Sequence, residues 1–164
     1  RLELAKQFDL IKDKNDKISS VGEDIAITLI ELCDFLLIEA DGAKMLPLKA
    51  PASHEPVILS NTTMIVGVAG IDSLGKSIKE ICHRPEYVCN ILIKKYEDKI
   101  SEKDIANLLS SESGQKKFID RCNNAEYRAI INKVDNEELL CSAEKVCSYL
   151  KEKDVQAIIT SYKS

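Results

Sequence analysis

The chain has 164 residues, 45% hydrophobic and 30% charged, which suits one soluble globular domain of ordinary composition. Its formal charge is −4, it has no Trp, and aromatic residues make up 5%, so it lacks the basic, aromatic-bearing footprint of a nucleic-acid binder. No apolar run approaches a membrane-spanning length and no charged-then-apolar leader opens the chain, so the sequence predicts neither a membrane span nor a secretory precursor.

The charge run at residues 12–17 reads as a solvated turn. From Glu23 the pattern turns helical, with Ile25, Leu29, Leu32 and Cys33 on one face of a 3.6-residue period. Phe35-Leu36-Leu37-Ile38 predicts a short strand buried on both faces, as in parallel sheets covered by helices. Met64-Ile65-Val66-Gly67-Val68-Ala69 predicts a second. Pro85 marks the first position of a helix. Ser101 and Asp104 predict a capping box opening another, with Ile105, Leu108 and Leu109 as its apolar stripe and Gly114 as its stop. Ala129-Ile130-Ile131 gives a third strand. Leu139, Ala143, Val146 and Leu150 line one face of a helix over residues 137–150, and residues 155–160 give a fourth strand. Strands alternating with helices predict a three-layer α/β/α fold with a mainly parallel sheet, one domain over residues 1–164.

Cys33, Cys82, Cys89, Cys122, Cys141 and Cys147 fit no disulfide scaffold and no paired C-x-x-C zinc pattern. Set mostly among Leu, Val and Ile, they read as reduced, small hydrophobes, which predicts a cytoplasmic location. Cys82, His83 and Cys89 offer a metal-binding alternative.

Open parallel sheets bind ligands beyond the carboxyl ends of their strands. Glu39 and Asp41 come directly after the first expected strand, and Gly42 allows a close turn there. Two such carboxylates can hold Mg²⁺, which needs only one or two protein oxygens; alternatively, Asp41 caps a turn and Glu39 pairs with Lys44 or Lys49. Pro47, Pro51 and Pro56 stiffen the next loop, which carries Lys49, His54 and Glu55. That loop is either a functional segment or a surface on which His54 and Glu55 simply pair.

After the third strand, Asn132-Lys133-Val134-Asp135 spells N-K-x-D, the guanine-reading sequence of many GTPases, whose Asp accepts from the base. Equally, Asp135 with Glu138 could cap the next helix. The string from Gly70 to Ser77 has the G-x-x-x-x-G-K-[ST] form of a phosphate loop. Its apolar Ile71 and Leu74 argue for a chance match, because such loops favour small residues.

Residues 37–44, continued by Leu46-Pro47-Leu48-Lys49-Ala50-Pro51 and His54-Glu55-Pro56-Val57-Ile58, resemble the hallmark of the selenium-dependent hydroxylase accessory proteins of the YqeC family. The likeness continues through residues 66–72, Gly75-Lys76 and His83-Arg84-Pro85-Glu86 to Asn132-Lys133-Val134-Asp135. It implies a P-loop NTPase-like fold, here expected to be N-terminally truncated, and a role in maturing selenium-dependent molybdenum hydroxylases.

Under that resemblance, in the full-length protein, Glu39 and Asp41 would organise Mg²⁺, and Asn132, Lys133 and Asp135 would hold the base of a purine nucleotide, GTP or ATP. Glu39, Asp41, His54 and Glu55 would be the catalytic group. Lys44 and Lys49, with His54 and Glu55, would line a second site for a molybdenum cofactor, a selenium species or the client hydroxylase. The alternative is a cofactor-delivery or scaffolding module that hydrolyses nothing.

Overall fold

The computed structural model describes residues 23–162 and divides the chain into two compact units, Arg1–Ile38 and Glu39–Ser164. The charge run at residues 12–17 lies outside the described residues. In the first unit, helix α1 (Glu23–Glu31) forms where the helical period predicts it, with Ala26 buried. The strand expected at residues 35–38 does not form: Phe35 is 88% exposed and Leu37 94%. A strand needs a ladder partner for its backbone groups, and none pairs with this run among the described residues.

The second unit holds a three-stranded parallel sheet of β2 (Met64–Gly70), β4 (Glu126–Asn132) and β5 (Gln156–Ile159), in the order β2-β4-β5. Gly70 pairs with Asn132, and Ile131 with Ile159, so the three strands end together on one edge. A two-stranded parallel ladder joins β1 (Leu48–Lys49) to β3 (Cys82–His83), setting Lys49 opposite His83. Three prolines do not prevent β1, because its two residues fall between Pro47 and Pro51 and each prolyl nitrogen stays outside the ladder.

Helix α2 (Ile78–Ile81) precedes β3, and α3 (Pro85–Leu92) comes after it with Pro85 at its start. Helix α4 (Glu102–Ser110) opens with the expected capping box between Ser101 and Asp104, and ends at Ser111 rather than at Gly114. Helix α5 (Glu137–Lys151) links β4 to β5 as a βαβ crossover. Ile105, Leu108, Leu109, Ile131, Val146 and Leu150 meet in one buried core between α4, α5 and the sheet.

The opposite sheet face is open among the described residues, with Val66 43% and Val68 47% exposed. Among the described residues of this unit, helices thus cover one face of the sheet, and the third layer expected from the sequence is absent there. The β2 run is apolar throughout, so its composition cannot tell the covered positions from the open ones.

Gly70 sets how β1 meets β2. Its N–H donates to the Pro47 carbonyl at 2.8 Å. A Cβ there would lie 2.8 Å from the Pro47 Cβ and collide with the Asp72 carboxylate.

Candidate functional site

Lys49 is the organising residue of the proline-rich loop. Although charged, it is only 3% exposed, and a buried ammonium must be paired to be tolerated. Its Nζ pairs with the Asp41 carboxylate, lies 2.9 Å from Glu55 Oε2, and donates to the Gly42 carbonyl at 2.7 Å. Glu55 in turn accepts from Arg84 Nη2 at 2.6 Å and from the Ala52 N–H at 3.2 Å. Lys117 Nζ donates to the Ala52 carbonyl at 2.5 Å and Gln115 Nε2 to the Lys49 carbonyl at 2.9 Å, fastening the loop to the segment after α4.

Burial pulls the Lys49 ammonium below its ordinary pKa, with Glu55 opposing. Burial pushes Glu55 up, but the bonds from Lys49 and Ala52 and the charges of Lys49 and Arg84 outweigh it, leaving its carboxyl below the ordinary value. His83, beside Lys49 in the ladder, is held low by burial and then by the charges of Lys49, Arg84 and Lys44.

The structure thus gathers Asp41, Lys49 and Glu55. His54 stays at the rim, 73% exposed, with Nε2 3.8 Å from Glu55 Oε1. Lys44 and Glu39 face solvent. Asp41 is not at the end of a buried strand, and its charge is met by Lys49 where Mg²⁺ would have to stand. The Glu39–Asp41 pair does not fit that ion in this arrangement. Among the described residues, no group of three or more His, Cys, Asp or Glu could hold a metal.

That excludes a cage at Cys82, His83 and Cys89. All six cysteines are free, and burial, with Cys89 nearby, pushes the Cys82 thiol up to about 12.

His83 and Arg84 belong to this cluster, yet periodicity gives no reason to select them. Their nearest signal is the His83-Arg84-Pro85-Glu86 string. Arg84 adopts φ 59, the left-handed region, at the start of α3.

The string from Gly70 to Ser77 is no phosphate cradle. The N–H groups of Leu74, Gly75, Lys76 and Ile78 donate to carbonyls of Ile71, Ile100, Ser73 and Asp98. Ile71 is fully buried. Within the string, the donors of Leu74, Gly75 and Lys76, with the Gly70 N–H bonded to Pro47, are thus committed to carbonyls and turned away from a phosphate.

A second cluster occupies the carboxyl ends of the parallel strands. Asn132 Oδ1 accepts from the Lys133 N–H at 2.7 Å and the Thr160 hydroxyl at 3.2 Å, and its Nδ2 donates to the Tyr162 hydroxyl at 3.0 Å. Lys133, at φ 65, reaches across to Asp72 Oδ2 at 2.9 Å. Asp135 Oδ1 accepts from the Ser161 hydroxyl at 2.7 Å and the Tyr162 N–H at 3.1 Å. Asp135 is not the helix cap: Asn136 is, its side chain accepting from the Leu139 N–H at 2.9 Å. Sequence reasoning does not select Thr160, Ser161 or Tyr162, because nothing in their spacing from Asp135 marks the contact.

The molecule is therefore an α/β protein whose parallel strands end in a preformed N-K-x-D loop. The chain belongs to the YqeC family: the family model described as YqeC protein matches residues 8–86. A curated Escherichia coli (strain K12) relative titled "Uncharacterized protein YqeC" is 30% identical over 128 residues, 77% of this chain and 49% of the relative. The chain thus spans about half the length of that relative. No solved structure matches it. Among the described residues no helix is long and apolar enough to cross a membrane.

Proposed function

We propose that the protein is a nucleotide-responsive accessory module in the maturation of selenium-dependent molybdenum hydroxylases, and that its N-K-x-D loop selects guanine. One observation carries guanine recognition. Asp135 is relieved of capping α5 by Asn136 and is instead oriented by Ser161 and Tyr162 at the strand ends, where ligands of parallel sheets bind. The Asp135 carboxylate is thereby held at the strand ends, where the Asp of an N-K-x-D loop accepts from the N1–H and exocyclic amine of guanine. Asn132 orders the loop rather than reading the base, since its amide is bonded to Lys133, Thr160 and Tyr162.

The proline-rich loop is the surface offered to the client enzyme, or to its molybdenum cofactor. Lys49 fixes it from inside while Met45, His54 and Val57 face outward. That closed ion-pair arrangement also favours the second reading, a scaffold that hydrolyses nothing.

Titration with guanine and adenine nucleotides tests the proposal. Guanine nucleotides should bind more tightly, and Asp135→Asn should remove the preference and lower client-hydroxylase activity in cells. Equal affinity for both bases would refute guanine selection. Absence of nucleotide binding, with maturation intact, would leave the scaffold.

A further inference from the structure

Tyr162 is exposed but not loose. Its backbone N–H is bound by Asp135 and its hydroxyl by Asn132 Nδ2. The residue therefore spans the N-K-x-D loop from its last position to its first, yet it remains 75% exposed. An aromatic side chain left in water forgoes the burial that usually offsets the cost of ordering it. Here two hydrogen bonds impose that order, at the strand ends where a ligand would lie. An open aromatic face held in place is a stacking platform, since every base has a π-face to offer.

We propose that Tyr162 is the stacking residue for a bound purine, a role that rests on the base recognition proposed for Asp135. The labour is divided by chemistry. Asp135 reads the hydrogen-bonding edge and sets preference, whereas Tyr162 contacts the face and contributes affinity to guanine and adenine alike. The Asn132 amide is then a positioning group, fixing the ring through its hydroxyl.

Guanosine and adenosine titrations of the unaltered protein and of Tyr162→Leu, Tyr162→Phe and Asp135→Asn test this. Tyr162→Leu should weaken both nucleosides by about tenfold or more and leave their ratio unchanged. Tyr162→Phe keeps the π-face but gives up the hydroxyl bond that positions it, so it should bind both nucleosides more weakly than the unaltered protein and clearly more tightly than Tyr162→Leu. Asp135→Asn should change the ratio.

Unaltered affinity in Tyr162→Leu, with the ratio still sensitive to Asp135→Asn, would overturn the stacking role alone. So would a Tyr162→Phe variant as weak as Tyr162→Leu, because the residue would then act through its hydroxyl. Absence of guanosine binding by the unaltered protein would overturn base recognition and the stacking role together.

Discussion

Asp135 Oδ1 accepts the backbone N–H of Tyr162 at 3.1 Å, which ties the loop leaving β4 to the loop leaving β5. Neighbouring strands of a parallel sheet share a ladder, but the ladder does not fix the loops beyond their carboxyl ends. This bond does, and with the Asn132–Thr160 contact it places the N-K-x-D loop before any ligand arrives. A preformed site avoids the cost of ordering its loops on binding.

The proline-rich loop depends on one buried charge. Lys49→Met should destabilise the protein by about 3–5 kcal/mol, because Asp41 and Glu55 would be left as partly buried carboxylates without their shared cation. Urea unfolding measures this, and a shift of the midpoint with an unchanged slope would assign the loss to stability.

Acid should weaken the same region in two stages. The pKa of His83 is held below its ordinary 6.5, so as pH falls through 6.5 the unfolded chain takes up a proton that the folded one refuses, and stability declines. The carboxyl of Glu55 lies below its ordinary 4.5. Its contribution is complete above 4.5 and is lost as pH falls through the lower folded value. Urea midpoints taken across the acid range should show both stages, and His83→Gln should remove only the first.

Much of the second unit is legible in the sequence because its elements are long and locally punctuated. The capping box at Ser101 and Asp104, Pro85 at the start of α3, and the apolar stripe of α5 each force one local structure. The Lys49 cluster is only half legible. The loop suggests Lys49 and Glu55, but a lysine is rarely buried, and Arg84, the partner of Glu55, follows a ladder of two-residue strands that no periodicity announces. At residues 35–38 an apolar run has the composition of a strand, but composition cannot supply the neighbour that a strand requires. At Asp135 two local patterns compete, and the neighbouring Asn136 takes the cap.

Residues 35–38 give a direct check of that correction. Phe35→Ala and Leu37→Ala should each alter stability by no more than about 0.5 kcal/mol, as expected for exposed side chains outside a packed core. Thermal or urea melts decide this, since a buried strand residue would cost several times more on truncation.

This 164-residue chain on its own should release no phosphate from GTP or ATP above background, because in the loop from Gly70 to Ser77 the N–H groups of Gly70, Leu74, Gly75 and Lys76 are spent on carbonyls. Catalysis of phosphoryl transfer requires such donors to be preorganised on the transferring group. Turnover that disappears in Lys76→Ala would contradict this.

The most direct test of guanine recognition is a ¹⁵N–¹H correlation spectrum recorded with guanosine and then with adenosine. Selective recognition predicts that guanosine shifts the Tyr162 backbone amide, bonded to Asp135, and the Asn132 side-chain amide, bonded to the Tyr162 hydroxyl, while signals from the Lys49 loop stay in place. Adenosine should shift the same signals less at equal concentration. Unmoved Tyr162 and Asn132 signals, or equal shifts with both nucleosides, would contradict it.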